Sequence, residues 1–214
     1  MNPTSTHPAL LHSNQPIIDF KLFGGGKAKN MAILSQNGVP VPEWFCLGTE
    51  WFEQYLLFYS LEAQLVPTGD LAAFEKSVEK LFLSYPLPDQ LMKKIDDTIK
   101  ELKLDQNFVA VRSSGLDEDS ENHSFAGLFS SYLFQKGSEN ISAAIRKCWA
   151  SAFSERALSY RLQRKIVGSR PKLGVIIQKM VNSESSGVMF TRDPIHPLNR
   201  DHRLSIPCGD SVKV

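Results

Sequence analysis

The chain has 214 residues, enough for one large domain or two small ones around a buried core. Apolar residues make up 42% and charged residues 22%, with 13 Phe and 3 Trp, which excludes a disordered chain. Twenty-four Lys and Arg against 23 Asp and Glu leave a net charge of +1, so no general nucleic-acid or membrane-binding surface is expected.

Residues 1–20 are polar and rich in Pro, Asn and Ser, and they are expected to form a loose leader. A glycine loop feeding a helix follows over 23–38, with Ala28, Met31, Ala32 and Leu34 on one face, Gly38 as cap and Pro40 as stop. Residues 40–48 are extended, and 49–60 form a helix with Thr49 as N-cap. Two more helices fit 70–84 and 89–103. The alternation in 108–114 predicts a strand, and the acidic, serine-rich stretch 115–132 predicts a long loop or hairpin. Residues 138–161 carry Ile141, Ile145, Trp149 and Phe153 every fourth position, which predicts one long helix. Strands are expected at 173–181 and 186–194, and 195–214 is weakly patterned. A helical half followed by hairpin-like strands predicts an α+β fold rather than a doubly wound sheet.

No window approaches the roughly 18 uncharged apolar residues of a membrane span, and no signal peptide is visible at the start. Cys46, Cys148 and Cys208 are odd in number and far apart, so neither a disulfide framework nor a zinc site is expected, and the expected location is cytoplasmic. None of the five histidines has a partner at a metal-ligand spacing, and GxSxG and HExxH are absent. Gly24-Gly25-Gly26-Lys27 could bring backbone amides and an ammonium to a phosphate, although GxxxxGK[ST] is not satisfied and a flexible turn with a solvated lysine suits it equally. Arg112, before Ser113 and Ser114, could fork onto phosphate oxygens or pair with Asp117, Glu118 or Asp119. Small residues from Ser124 to Gly127 suit a phosphate-covering loop or any surface hairpin, and the edge of a strand at Gln178-Lys179-Met180 could bond a flat base or be plain core.

Four segments in order carry a resemblance: GGKAKNMAILSQNGVPVPEWFCLG, VAVRSSGLDEDSENHSFAGLFSSYL, IRKCWASAFSERALSYR and IIQKMVNSESSGVMFTRDP, over about residues 22–194. They resemble the opening of the pyruvate phosphate dikinase and phosphoenolpyruvate synthase family. The SFAG block is more similar to the synthase and rifamycin phosphotransferase branches. The resemblance implies the first lobe of an ATP-grasp-like nucleotide-binding domain over 21–194, helical over about 24–104 and strand-containing over about 105–194. Residues 195–214 would then be the truncated start of a second lobe.

It also implies roles. Lys27 and Arg112 would hold ATP phosphates as the catalytic cations, beside Gly25 and Gly26. Gly127 through Ser130 and Ser131 would cover the phosphates, and Gln178, Lys179, Met180 and Val181 would line the adenine pocket. The implied reaction passes ATP phosphate to a carrier histidine and then to pyruvate, or to rifamycin or another small molecule in the alternative. A truncated, non-catalytic nucleotide- or protein-binding module is the remaining alternative. Mg²⁺ is implied with ligands outside this chain, as are phosphohistidine and acceptor domains. The sequence departs from the family pattern at Gly115, at Leu128 and Phe129, and at Pro207 and Cys208.

Overall fold

Where apolar residues recur every three or four positions a chain turns helical, and where they alternate it extends. The computed structural model describes residues 10–67, 69–116, 119–120, 123–124, 130–164, 166, 170–190 and 203–205. The chain divides into two compact units, Met1–Met180 and Val181–Val214. The first runs through β1 (Leu10–His12), α1 (Ile17–Asp19), a π-helical turn (Phe20–Gly24), α2 (Gly25–Gln36), β2 (Trp44–Leu47), α3 (Thr49–Phe58), α4 (Leu71–Ser84) and α5 (Asp89–Glu101). It continues with β3 (Val109–Gly115), β4 (Asp119–Ser120), β5 (His123–Ser124), β6 (Ser131–Gln135), α6 (Ser138–Ala150), α7 (Glu155–Gln163) and β7 (Leu173–Lys179). In the second unit β8 (Val188–Phe190) pairs antiparallel with β9 (Arg203–Ser205).

Five strands of the first unit make one sheet in the order β1-β2-β7-β3-β6, with every neighbour antiparallel. Helices beside an antiparallel sheet make the fold α+β, as the pattern of elements predicts. Side chains alternate across a sheet, so the register sorts the residues onto two faces. Phe45, Leu47, Val109, Val111, Val175 and Ile177 share one face and join the core built with α3 to α6. That core centres on Trp149, which is fully buried, with ring centroids 5.7 Å from Phe52 and 5.0 Å from Tyr55. The opposite face, here the α2 face, packs Leu11, Trp44, Cys46 and Ile176 against Phe20, Ala28 and Ala32. The register continues this face onto Ala110, Arg112, Ser114 and Gln178.

Several expectations change. Residues 10–20 are not a loose leader: β1 pairs with β2, and Phe20 is fully buried beside Trp44. Thr49 is the first residue of α3 rather than its N-cap, a position held by Gly48. Leu34, expected on the packed face of α2, is exposed. The helix expected over 138–161 breaks into α6, a 3-10 turn at Ser151–Phe153, and α7. The break is a serine effect, since Ser154 accepts the Ala157 amide (3.2 Å) as N-cap of a new helix. The hairpin alternative for 115–132 holds at β4 and β5, which pair antiparallel. Among the described residues no helix is long and apolar enough to cross a membrane.

Candidate functional site

The glycine run is not an open loop. The π-helical turn leads straight into α2, the Gly25 amide donates to the Phe20 carbonyl, and Gly25 breaks the two apart with φ 80° and ψ 173°. This turn lies flat on the α2 face. A Cβ at Gly25 would stand 2.3 Å from the Ser114 carbonyl oxygen, and one at Gly174 of β7 would stand 2.8 Å from the Gly24 carbonyl oxygen. Ser114 Oγ accepts the Ala28 amide (3.1 Å), and the Cys46 thiol donates to the Gly24 carbonyl (3.7 Å). The first turn of α2, carrying Gly26 and half-buried Lys27, is thereby fixed at the Ser114 end of the sheet.

From Ser114 the α2 face runs along β3 as a strip. Arg112 comes next, directly opposite Ser131 of β6 and Ile176 of β7. Its Nη1 donates to Gln178 Oε1 at 3.2 Å, which uses one of the five guanidinium N–H donors. The residue expected at the phosphates and one expected at the base are thus bonded to each other. The alternative partners Asp117 and Glu118, and the Asp119 side chain, lie outside the described residues. Beyond Arg112 stands Ala110, opposite Gln178, and then Phe108, whose carbonyl accepts the Met180 amide (2.9 Å). At about 3.4 Å per residue, Ser114 to Phe108 spans about 20 Å.

Not every expected residue joins this strip. Lys179 falls on the other face by alternation and pairs with Glu43 (3.6 Å), so only its backbone borders the strip. The Ser130 amide donates to Ser151 Oγ (3.4 Å). The Ser130 carbonyl accepts from Ser113 Oγ (3.0 Å) and the Cys148 thiol (3.7 Å). Ser131, opposite Arg112, is the serine on the strip. Val181 belongs to the second unit and is exposed. Gly127 lies outside the described residues.

Burial pushes the Cys148 thiol far above the usual thiol range, and the Lys27 ammonium pulls against that rise. Burial likewise raises the Cys46 thiol, against a backbone hydrogen bond at Val175. Among the described residues no cluster of three or more His, Cys, Asp or Glu is placed to hold a metal. A cavity of about 390 Å³ lined by Trp51, Tyr55, Phe58 and Leu91 lies between α3 and α5, on the helix-covered face away from the strip. Sequence reasoning missed Ser114 and Gly174 as the seat of α2, though an isolated glycine within an apolar strand already signals a close backbone approach.

A family model described as the pyruvate phosphate dikinase AMP/ATP-binding domain matches residues 22–206. The rifampicin phosphotransferase of Bacillus cereus is 36% identical over 181 residues, covering 80% of this chain and 21% of that protein. The phosphoenolpyruvate synthase of Aeropyrum pernix is 35% identical over 189 residues, covering 81% and 23%. The prodigiosin synthesizing transferase PigC of Serratia marcescens is 35% identical over 171 residues, covering 80% and 18%. The chain spans about a fifth of the length of these relatives.

Proposed function

The chain belongs to the pyruvate phosphate dikinase AMP/ATP-binding domain family, and from that premise we propose that it is the ATP-binding portion of a phosphoenolpyruvate synthase-like phosphotransferase. The observation that carries the reading is the Arg112–Gln178 bond on the face where α2 begins (3.2 Å). It joins a strip with cations at one end and a strand edge at the other, a span that suits an extended nucleoside triphosphate. In this reading Lys27, Arg112 and the amides of Gly25 and Gly26 serve the phosphates, with Ser131 beside Arg112 and Gly127 and Ser130 in the covering segment. Gln178 and the backbone of Lys179, Met180 and Val181 serve the adenine.

The strip forms the first lobe of an ATP-grasp-like domain, with 195–214 opening the second. Cations and dipoles fixed before the reaction stabilise charge on a transferring phosphoryl without reorganising. Bound Mg²⁺ supplies further neutralisation of phosphate charge, and its protein ligands are assigned outside these residues. Lys27 and Arg112 position the phosphates, and the strip's apolar floor excludes water from one side. The carrier histidine and the acceptor site are assigned to further domains, and a cytoplasmic location is part of the reading. Pyruvate is the proposed acceptor. The likeness to a rifampicin phosphotransferase favours, as the second reading, rifamycin or another small molecule in its place.

Thermal unfolding with ATP, ADP and AMP, with and without Mg²⁺, tests the reading in the wild type and in Lys27→Ala/Arg112→Ala. Ligand at about 100 times its Kd stabilises by roughly 2.7 kcal/mol, about 5–11 °C for a chain of this size. A shift of that order, lost in the double variant, is expected. No shift at millimolar ATP, or an equal shift in the double variant, refutes it.

A further inference from the structure

We propose that Phe108 and Phe134 form the stacking wall for the nucleobase at the Gln178 end of the α2 face, an inference that rests on the nucleotide reading above. Three described non-glycine residues have left-handed backbone: Ser60 (φ 53°), Lys103 (φ 54°) and Phe134 (φ 56°). The first two end helices, where such a turn is ordinary: Leu61 donates back to Leu56 after α3, and Leu104 to Ile99 after α5. Phe134 sits inside β6, where a bulky residue in this conformation is an outlier that persists only when its surroundings hold it there.

The register shows how it is held. Val109 faces Gln135 and Val111 faces Tyr132, so Leu133 and Phe134 together oppose the single Ala110 in a bulge. The Phe134 amide donates to Met180 Sδ (3.1 Å), while the Met180 amide donates to the Phe108 carbonyl (2.9 Å). Met180 therefore ties both phenylalanines to the end of β7, two residues beyond Gln178. Their rings meet edge to face, with centroids 6.0 Å apart.

This fixed pair does nothing for the core. Phe134 is 59% exposed and Phe108 51%, so neither ring contributes the burial that would offset the bulge. What the pair does border is the Gln178 end of the α2 face. Ala110 carries only a methyl between the Phe134 bulge and Gln178, and the strands on either side of β3 stand about 9.6 Å apart. A flat heterocycle set against the exposed phenylalanine rings would have aromatic surface on one side and, across β3, the Gln178 amide on the other. Arg112, already bonded to Gln178, would turn toward the phosphates. Stacking of this kind tolerates any base, because every base has a π-face.

The test is calorimetric titration of the 214-residue chain with ATP and with inorganic tripolyphosphate, both with Mg²⁺, in the wild type, Phe134→Asn, Phe134→Tyr and Phe108→Leu. Asparagine accepts left-handed backbone, so Phe134→Asn removes the ring and keeps the bulge, with unchanged thermal unfolding as the check on folding. Phe134→Asn and Phe108→Leu are expected to weaken ATP binding about tenfold or more. Tripolyphosphate binding should stay the same, and Phe134→Tyr should keep full ATP affinity. Unchanged ATP affinity in Phe134→Asn overturns the proposal, and so does an equal loss for tripolyphosphate. A variant that alters self-association in sedimentation and leaves ATP binding intact would make the pair a protein contact and overturn it too. If the wild type binds neither ATP nor tripolyphosphate, the nucleotide reading itself fails, a result distinct from a lost preference for the base.

Discussion

Replacing Gly25 by Ala tests whether the glycine turn is seated on the sheet, and Gly38→Ala supplies its control. Both glycines have positive φ, 80° and 76°. A Cβ at Gly38 meets nothing within 4 Å, so Gly38→Ala measures the backbone term alone. That term is about 1–2 kcal/mol, reduced by the smaller freedom of the unfolded alanine chain to about 1 kcal/mol. Gly25 differs twice. Its ψ of 173° lies in a region used almost only by glycine, which adds about 1–3 kcal/mol. Its Cβ would also overlap the Ser114 carbonyl oxygen at 2.3 Å and Ser114 Oγ at 2.7 Å. The carbonyl is backbone and has no rotamer to escape into, so the overlap adds about 1–3 kcal/mol more. The expected loss is about 4 kcal/mol, roughly 10 °C in Tm at about 2–4 °C per kcal/mol, against about 2–4 °C for Gly38→Ala. Urea unfolding followed by circular dichroism reads both variants, with the m-value unchanged and only the midpoint moving. Equal midpoints for Gly25→Ala and Gly38→Ala would refute the seat.

Ser114→Ala should lower stability by about 1–2 kcal/mol by urea unfolding, because it removes the buried acceptor of the Ala28 amide (3.1 Å); a loss below about 0.3 kcal/mol would show the bond to be idle. Burial raises the Cys46 and Cys148 thiols above the ordinary range of about 8.5. Folding therefore favours their neutral form, a contribution fully present below that value and lost as the pH climbs through it. Stability should fall above about pH 8.5, less steeply in Cys148→Ala, and an unchanged slope there would refute the assignment. In native protein at pH 8, alkylation of both thiols followed by mass spectrometry should be slow and rise with urea; rapid labelling without urea would contradict their burial.

What the sequence made legible follows periodicity. α4 and α5 lie almost where the apolar spacing predicts, and β3 and β7 occupy the expected apolar runs. β1 was hidden because three residues at a sheet edge gain their strand character from β2 alone. The break before α7 was hidden because Ile141, Ile145, Trp149 and Phe153 keep one period through it, while the stop is made by the Ser154 hydroxyl. For the site, local motif singled out Arg112 and Gln178, but their hydrogen bond depends on a pairing between β3 and β7 that no local pattern encodes. Alternation alone, by contrast, suffices to put Lys179 on the opposite face from Gln178. The left-handed Phe134 has no sequence signal, because phenylalanine is not a residue that such a turn selects.

The place of β7 has a consequence for how the chain acquires its structure. This strand is the last of the five to be synthesised, yet it lies in the middle of the sheet, with Trp44↔Gln178 on one side and Val109↔Lys179 on the other. Until it arrives, β1–β2 and β3–β6 are two separate strand pairs, each with an open apolar edge toward the vacant position. Closing them requires β2 to meet β7 across more than half of the chain's length, the kind of contact that slows folding. During translation both edges stay unpaired until residue 179 has left the ribosome, and exposed strand edges of this kind are where a partly made chain mispairs.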